Sequence, residues 1–305
     1  MDRLTAMQTF VRVVESGSFT AVAREMHSTQ SAVSKQVAAL ERQLGARLLS
    51  RSTRSLALTE EGERYFEQAR RLVAEIAEAE ASLRRGEQQL TGWLRVAASV
   101  GFGRLRVLPL VQQFMAQHPG VRIDLRLHDG FIDLVEHGID LAVRIGELAD
   151  SSLVARRVAT SRRAVLVSRR YLQSLPRALR TPRTPEDLQQ LDCIVYTELA
   201  TGNAWRFVAG PGAPVAAGTE VTLRAQGSFQ TNSTEAVRAA VLAGMGIGYV
   251  PTWLLAEELA TGEVRQLLPH WAAPALPLHL VSPAQRRQSA KVRAFSDHLA
   301  AAWAE

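Results

Sequence analysis

Leu4, Met7, Phe10, Val11 and Val14 recur at intervals of three and four residues, the period of one helix face. The pattern predicts a first amphipathic helix, with Thr5 and Gln8 at capping-box spacing and Ser16-Gly17 as its stop. Ser18 is placed to cap a second helix that buries Phe19, Val22, Ala23 and Met26. His27-Ser28 makes the turn into a third helix, which Thr29 caps, Gly45 ends, and Ala32, Val33, Val37, Leu40 and Leu44 bury. Leu56 and Leu58 then alternate as in a strand. Ser52-Thr53-Arg54-Ser55 reads as a hairpin tip carrying Arg51 and Arg54.

From Glu60 to about Leu90 the helical pattern runs unbroken, capped by Thr59, for a length of roughly 45 Å at 1.5 Å per residue. Ala69, Ile76, Leu83 and Leu90 recur every seven residues, with Phe66, Leu72 and Val73 beside them. A seam between two copies is preferred, because the helix is long and its other face is rich in Glu and Arg. The other reading is a surface helix packed on its own domain. Gly92 and the strand 93–98 then open a region where strands alternate with helices, the mark of an α/β domain with a largely parallel sheet. Its expected parts are a helix through Leu105 to Phe114, a strand 121–127, a helix around Ile132, Leu134 and Val135, and a strand 139–145. A second unit begins near Arg163, with strands 164–168 and 193–196, a helix 233–243 and a strand after Gly244. The segment from His279 to Ala302 returns to the first lobe.

On the third helix Gln30, Ser31, Ser34, Lys35 and Gln36 are polar, and Gln30, Ser31 and Ser34 lie in its first turns. A recognition helix meets bases there: Gln can bond adenine bidentately, Ser can donate or accept, and Lys can meet guanine or phosphate. Each residue alone would suit a solvated helix face; together with the flanking helices they point to the major groove. Arginines on a hairpin beside such a helix make a wing that grips phosphates or the minor groove. The formal net charge of +6 agrees with a polyanionic partner, although a genome rich in G and C, which inflates Arg and Ala, would produce the same surplus.

These motifs resemble the LysR-type transcriptional regulators. The likeness rests on Phe10 to Ala23, on Gln30-Ser31-Ala32-Val33-Ser34 and on Leu40-Glu41-Arg42-Gln43-Leu44-Gly45. Leu48-Leu49-Ser50-Arg51 and Leu58-Thr59-Glu60-Glu61-Gly62 extend it, and it continues through the C-terminal half. Ser31 stands where many members have proline, and Lys35 where many have arginine. The resemblance implies an α+β multidomain protein: a winged helix-turn-helix at 1–59, a linker and dimerisation helix at 60–90, and an effector-binding domain at 91–305. That domain would be two-lobed and similar to periplasmic binding proteins, with lobe I at about 91–162 and 268–305 and lobe II at about 163–267. DNA contacts would come from Thr29, Gln30, Ser31, Ser34, Lys35, Arg51 and Arg54. A homodimer through the linker helix is implied, and further assembly to a tetramer.

Open α/β sheets bind ligands beyond the carboxyl ends of their strands. Those ends present Ser99, Val100, Gly101 and Phe102, then His128 and Asp129, Arg144, Thr197 and Glu198, and finally Thr231, Asn232 and Ser233. Positions matching Ser99, His128, Thr197 and Thr231 to Ser233 line the effector cleft in the family. Backbone N–H groups at Gly101 and Asn232, near helix starts, lean toward a small anionic effector, and Arg144 can add charge. The plainer readings are that Ser99 and Ser233 cap helices, that His128 and Asp129 are solvated, and that Arg144 forms an internal ion pair. Trp205 and Phe229 read as core.

No cofactor, metal or catalytic residue is expected. The seven histidines are scattered without ligand spacing, and Gly244-Met245-Gly246-Ile247-Gly248 follows a helix instead of joining a strand to one. The single Cys193 cannot form an internal disulfide and reads as a buried thiol in a reducing cytoplasm. The start lacks a signal peptide's basic and apolar regions, and glycines with Pro251 break the uncharged stretch 239–256, so no membrane partner is expected. The function read here is a sequence-specific transcriptional regulator controlled by an effector between two lobes. The alternatives are a DNA-organising protein without ligand control, a solute-binding protein and an enzyme.

Overall fold

A computed structural model of the chain describes residues 2–52, 55–83, 90–148, 153–199, 201–284 and 286–304. They fall into two compact units, Met1–Gln89 and Leu90–Glu305. The first unit packs α1 (Arg3–Ser16), α2 (Phe19–Glu25) and α3 (Gln30–Leu44) around Phe10, Val13, Val22, Val33, Val37 and Leu40. Side chains start each helix. Ser18 Oγ accepts from the Ala21 amide and Thr29 Oγ1 from the Ala32 amide, both at 3.2 Å. The first cap is Asp2, not the Thr5–Gln8 pair expected from the sequence. The Asp2 carboxylate accepts from the Leu4 amide at 3.0 Å and from the Thr5 hydroxyl at 2.7 Å, which places Thr5 inside the first turn. Gly17 and Gly45 end α1 and α3 at φ +65° and +67°, backbone that costs other residues strain.

The hairpin pairs β1 (Leu49–Ser52) with β2 (Ser55–Leu58). Glu41 of α3 orients it, its Oε1 accepting from the Leu48 and Leu49 amides at 2.8 and 3.1 Å. Thr59 Oγ1 accepts from the Gly62 amide at 2.9 Å and starts α4 (Glu60–Leu83). Gly62 lies against the Leu48 carbonyl, where a Cβ would collide with backbone. Phe66 and Val73 pack on the core of this unit, and Ala69 is fully buried in it. The Phe10 ring lies 5.7 Å from Tyr65 and 6.3 Å from Phe66. Three of the positions expected on a seam between copies are therefore used within the unit, whereas Leu72 stays 47% exposed. The helix is described to Leu83; residues 84–89 lie outside the described residues. Leu90 is not helical and packs against the core that contains Leu94, in the second unit.

The second unit opens with β3 (Gly92–Ala98) and a continuous helical run: α5 (Val100–Phe102), a π-helical turn at Gly103–Val107, and α6 (Leu108–Gln117). β4 (Val121–Leu127), β5 (Leu141–Ile145) and β6 (Leu153–Ser161) follow. The second lobe contributes β7 (Arg163–Ser168), α7 (Arg169–Ser174), β8 (Cys193–Tyr196), β9 (Ala204–Ala209), β10 (Glu220–Arg224) and β11 (Phe229–Thr231). It continues with α8 (Thr234–Ala243), β12 (Ile247–Pro251), α9 (Ala256–Thr261), β13 (Val264–Leu267) and β14 (Trp271–Ala272). β15 (Leu276–Pro283) and α10 (Ala290–Trp303) return to the first lobe.

Two five-stranded sheets result, ordered β4-β3-β5-β15-β6 and β11-β8-β12-β7-β13, with a smaller sheet β10-β9-β14 in the second lobe. They are mixed, not largely parallel. β15 is antiparallel to β5 and β6, and β7 is antiparallel to β12 and β13. Both strands cross over from the other lobe without the helical connection that parallel pairing needs. The helix expected at Ile132 to Val135 does not form. Asp133 Oδ1 accepts from the Val135 and Glu136 amides at 2.8 and 3.0 Å, and that local turn replaces helical bonds. The next strand begins at Leu141, two residues after the expected Ile139.

A Gly62→Ala substitution should destabilise the first unit by roughly 1–3 kcal/mol through overpacking against the Leu48 carbonyl. Arg24→Ala, at an exposed position of α2, should stay within about 0.5 kcal/mol of wild type in the same thermal unfolding measurement.

Candidate DNA-contact helix and effector cleft

Thr29, Gln30, Ser31 and Lys35 are exposed at the start of α3 and along it, and Ser34 is half-buried. Gln36, polar in the same run, is turned inward: its Oε1 accepts from the Thr9 hydroxyl at 2.7 Å and ties α3 to α1. Arg51 lies in β1, and Arg54 lies outside the described residues. Arg24, exposed in the last turn of α2, is a cation that the helix pattern alone did not single out. Arg12 is not free for phosphate, because it pairs with Glu25 and lies 3.5 Å from Glu15. Residues 1–59 hold eight Lys or Arg against four Asp or Glu, so a positive surplus remains on a small unit.

In the second unit the expected cleft residues converge on one carboxylate. Asp129, at the carboxyl end of β4, accepts from the Val100 amide at 2.9 Å and from the Thr234 amide at 3.0 Å. The Thr234 hydroxyl adds a third contact at 3.3 Å. Val100 opens the helical run of the first lobe and Thr234 opens α8 of the second, so the negative charge sits where both helix starts are positive. Gly101 allows the close approach: a Cβ there would lie 2.9 Å from Thr234 Oγ1 and 3.3 Å from Glu235 Oε1. Beside it Arg104 reaches across to Glu235 with bonds of 3.1 and 3.0 Å. Phe102 is 4% exposed and packs 5.0 Å from the Trp253 ring of the other lobe. Trp253 Nε1 donates in turn to Ser161 Oγ at 3.0 Å.

The remaining residues flank this junction. Ser99 stands before α5 and its side chain makes no capping bond, whereas Ser233 Oγ does cap α8. His128 is exposed, and its amide donates to the Ala98 carbonyl. The Thr197 amide donates to the Thr231 carbonyl at 3.0 Å, Thr231 Oγ1 accepts from the Ser233 amide at 3.1 Å, and Asn232 is exposed. Arg144 stands apart in role. It donates to the Ile132 carbonyl at 2.9 Å and lies 5.2 Å from the Phe131 ring centroid, so it holds the loop after β4 and forms no ion pair among the described residues. Burial lowers its pKa from the usual arginine value.

Tyr196, expected as the last residue of a strand but not as a cleft residue, is half-buried at the end of β8. Burial raises the pKa of its phenol, and the nearby Asp129 and Glu198 carboxylates raise it further. Burial also pushes the Cys193 thiol up to about 11. Trp205 is 1% exposed and stacks on Tyr249 at 5.2 Å, as a core residue does.

Comparison with known proteins agrees with this division. The bacterial regulatory helix-turn-helix description of the lysR family matches residues 4–63, and the LysR substrate binding domain matches residues 87–304. The transcriptional regulator PtxR of Pseudomonas aeruginosa is 34% identical over 97% of this chain and 91% of its own. CrgA of Neisseria meningitidis is 34% identical over 95% of this chain and 93% of its own. The solved structure of CrgA, a LysR-type transcriptional regulator, superposes with a TM-score of 0.61 at 32% identity over 99% of both chains. Full-length AphB, a virulence activator of Vibrio cholerae, superposes with a TM-score of 0.58 at 27% identity over 98% of both chains.

Asp129→Ala removes an acceptor shared by the two lobes. Hydrogen exchange at the Val100 and Thr234 amides should accelerate together, by about tenfold or more. Acceleration at only one would show that the carboxylate does not couple them. At about pH 8 the Cys193 thiol should stay protonated and react with a thiol reagent only as fast as the protein unfolds.

Proposed function

This chain belongs to the LysR family of transcriptional regulators, with a helix-turn-helix DNA-binding domain and a LysR effector-binding domain, and from that premise we propose how each unit works. It is a regulator and not an enzyme. Thr29, Gln30, Ser31, Ser34 and Lys35 meet base edges and phosphates in the major groove, and Arg51 and Arg54 of the wing grip the backbone beside it. The exposed polar run at the start of α3 carries this assignment. Two copies join through the part of α4 left outside the module core, around Leu72, and present two modules to half-sites about 34 Å apart. Pairs of dimers form tetramers, and the protein acts in the cytoplasm, where its DNA is. No described helix is long and apolar enough to cross a membrane.

The effector enters between the lobes, against Ser99 to Phe102, His128, Asp129, Thr197, Thr231 and Asn232, with Tyr196 added and Arg144 supporting the wall from behind. Asp129 supports this reading, since its carboxylate already takes the amides that an anionic effector would seek. An effector carboxylate would compete with Asp129 for Val100 and Thr234 and so change how closely the lobes meet. Control follows from its different affinity for the two arrangements.

Selection from random DNA duplexes at near-physiological salt, with the full chain, tests the DNA assignment. An interrupted palindrome should be enriched, and Gln30→Ala should change the preference at one position of each half-site by roughly 1–3 kcal/mol. Unenriched binding that falls steeply with salt would support the DNA-organising alternative. Ser99→Trp should abolish effector response in a reporter assay while operator binding persists; unchanged response would remove the cleft as the effector site.

A further inference from the structure

A cavity of about 370 Å³ opens in the first lobe where β5, β15 and β6 meet α10, and it shares no residue with the junction at Asp129 or with α3. Its size falls within the range of small-molecule sites, about 300–1,000 Å³. The floor follows from strand register. Leu280 pairs with Arg156 and Ser282 with Val154, so these four side chains share one face of the sheet. Across from them α10 brings Val292 and Ser296 to the same wall, one turn apart.

The polar groups of this cavity are unusually uncommitted. Arg156 pairs with Asp297 at 2.6 Å, but Arg287 and Arg293 have no acidic partner among the described residues. Ser282 is 5% exposed, and its hydroxyl has no hydrogen-bond partner among the described residues. The turn carrying Arg287 is anchored from behind. Arg286 lies 3.6 Å from Asp140, whose carboxylate also accepts from the Arg95 amide at 2.8 Å. The site therefore combines an apolar floor, two uncompensated guanidinium groups at its rim and a nearly buried hydroxyl without a partner.

We propose that this cavity is a second ligand site, separate from the cleft between the lobes, and that it takes a small amphipathic carboxylate. The apolar body of the ligand covers Leu280, Val154 and Val292, and its carboxylate accepts from Arg287 and Arg293, with the Ser282 hydroxyl as a further donor. Guanidinium forks suit a planar carboxylate. A bare inorganic anion would leave the apolar floor wet and forgo its burial, and a neutral apolar molecule would leave both arginines uncompensated.

Phenylacetate and hexanoate, titrated calorimetrically into the full chain, serve as probes, with phenylacetamide and inorganic phosphate as controls. The carboxylates should bind, and each control should bind about tenfold more weakly or not at all. Replacing the exposed pair, Arg287→Gln with Arg293→Gln, should weaken carboxylate binding by about tenfold or more. Ser296→Phe, on the α10 wall of the cavity, should block it. Hydrogen exchange in the presence of phenylacetate should slow in residues 153–158 and 290–297, not around Val100 and Thr234. The proposal is overturned if neither carboxylate binds, if phosphate binds equally well, if the arginine pair can be replaced without loss, or if protection appears only at the junction between the lobes.

Discussion

A single carboxylate, Asp129, receives the amide of Val100 from one lobe and the amide and hydroxyl of Thr234 from the other. Bonds from N–H groups to a carboxylate contribute about 1.5–3 kcal/mol each, and here they join the two lobes. Around that point the neighbours are constrained in turn. Gly101 has no room for a side chain, Arg104 meets Glu235, and Phe102 lies against Trp253. Helix starts that would attract an external anion already have an internal one. On the function proposed above, an effector in the cleft would compete with Asp129 for these two amides.

The first unit is organised by a comparable economy of polar groups. Glu41 uses one oxygen to hold two amides at the entry to the hairpin, and Thr9 holds Gln36 against α1. These inward bonds set the direction of α3 and leave Gln30, Ser31 and Lys35 exposed. They also show why a polar helix residue cannot be assigned to DNA from its type alone: Gln30 is exposed and Gln36 is bonded inward, on the same helix. The long helix is divided in the same manner. Phe66, Ala69 and Val73 complete the core of the unit, and only what they leave uncovered is available to a second copy.

Much was legible because local physics governs it. The periodicity of Phe10, Val33, Val37 and Leu40, the caps at Ser18 and Thr29, and the left-handed stops at Gly17 and Gly45 need only neighbouring residues, and the structure has them all. The order of motifs identified the family, and the comparisons agree. Errors came where a side chain outside the expected pattern took over. Asp2 displaced the Thr5 cap, and Asp133 replaced a helix by a turn. β6, with two arginines in its middle, lies at the edge of its sheet and lacks the apolar run of a central strand.

The sequence by itself determined the helix-turn-helix, its wing, the two α/β lobes and the family, because each is written in residue spacings of a few positions. Only the tertiary structure decided which polar residues meet. The partnership of Asp129 with Thr234 spans 105 positions of the chain, and that of Arg104 with Glu235 spans 131. Arg287, Arg293 and Ser282 line one cavity only because β15 returns to the first lobe and packs with α10. No local rule encodes such distances. They follow from chain crossings that are settled when the two sheets assemble.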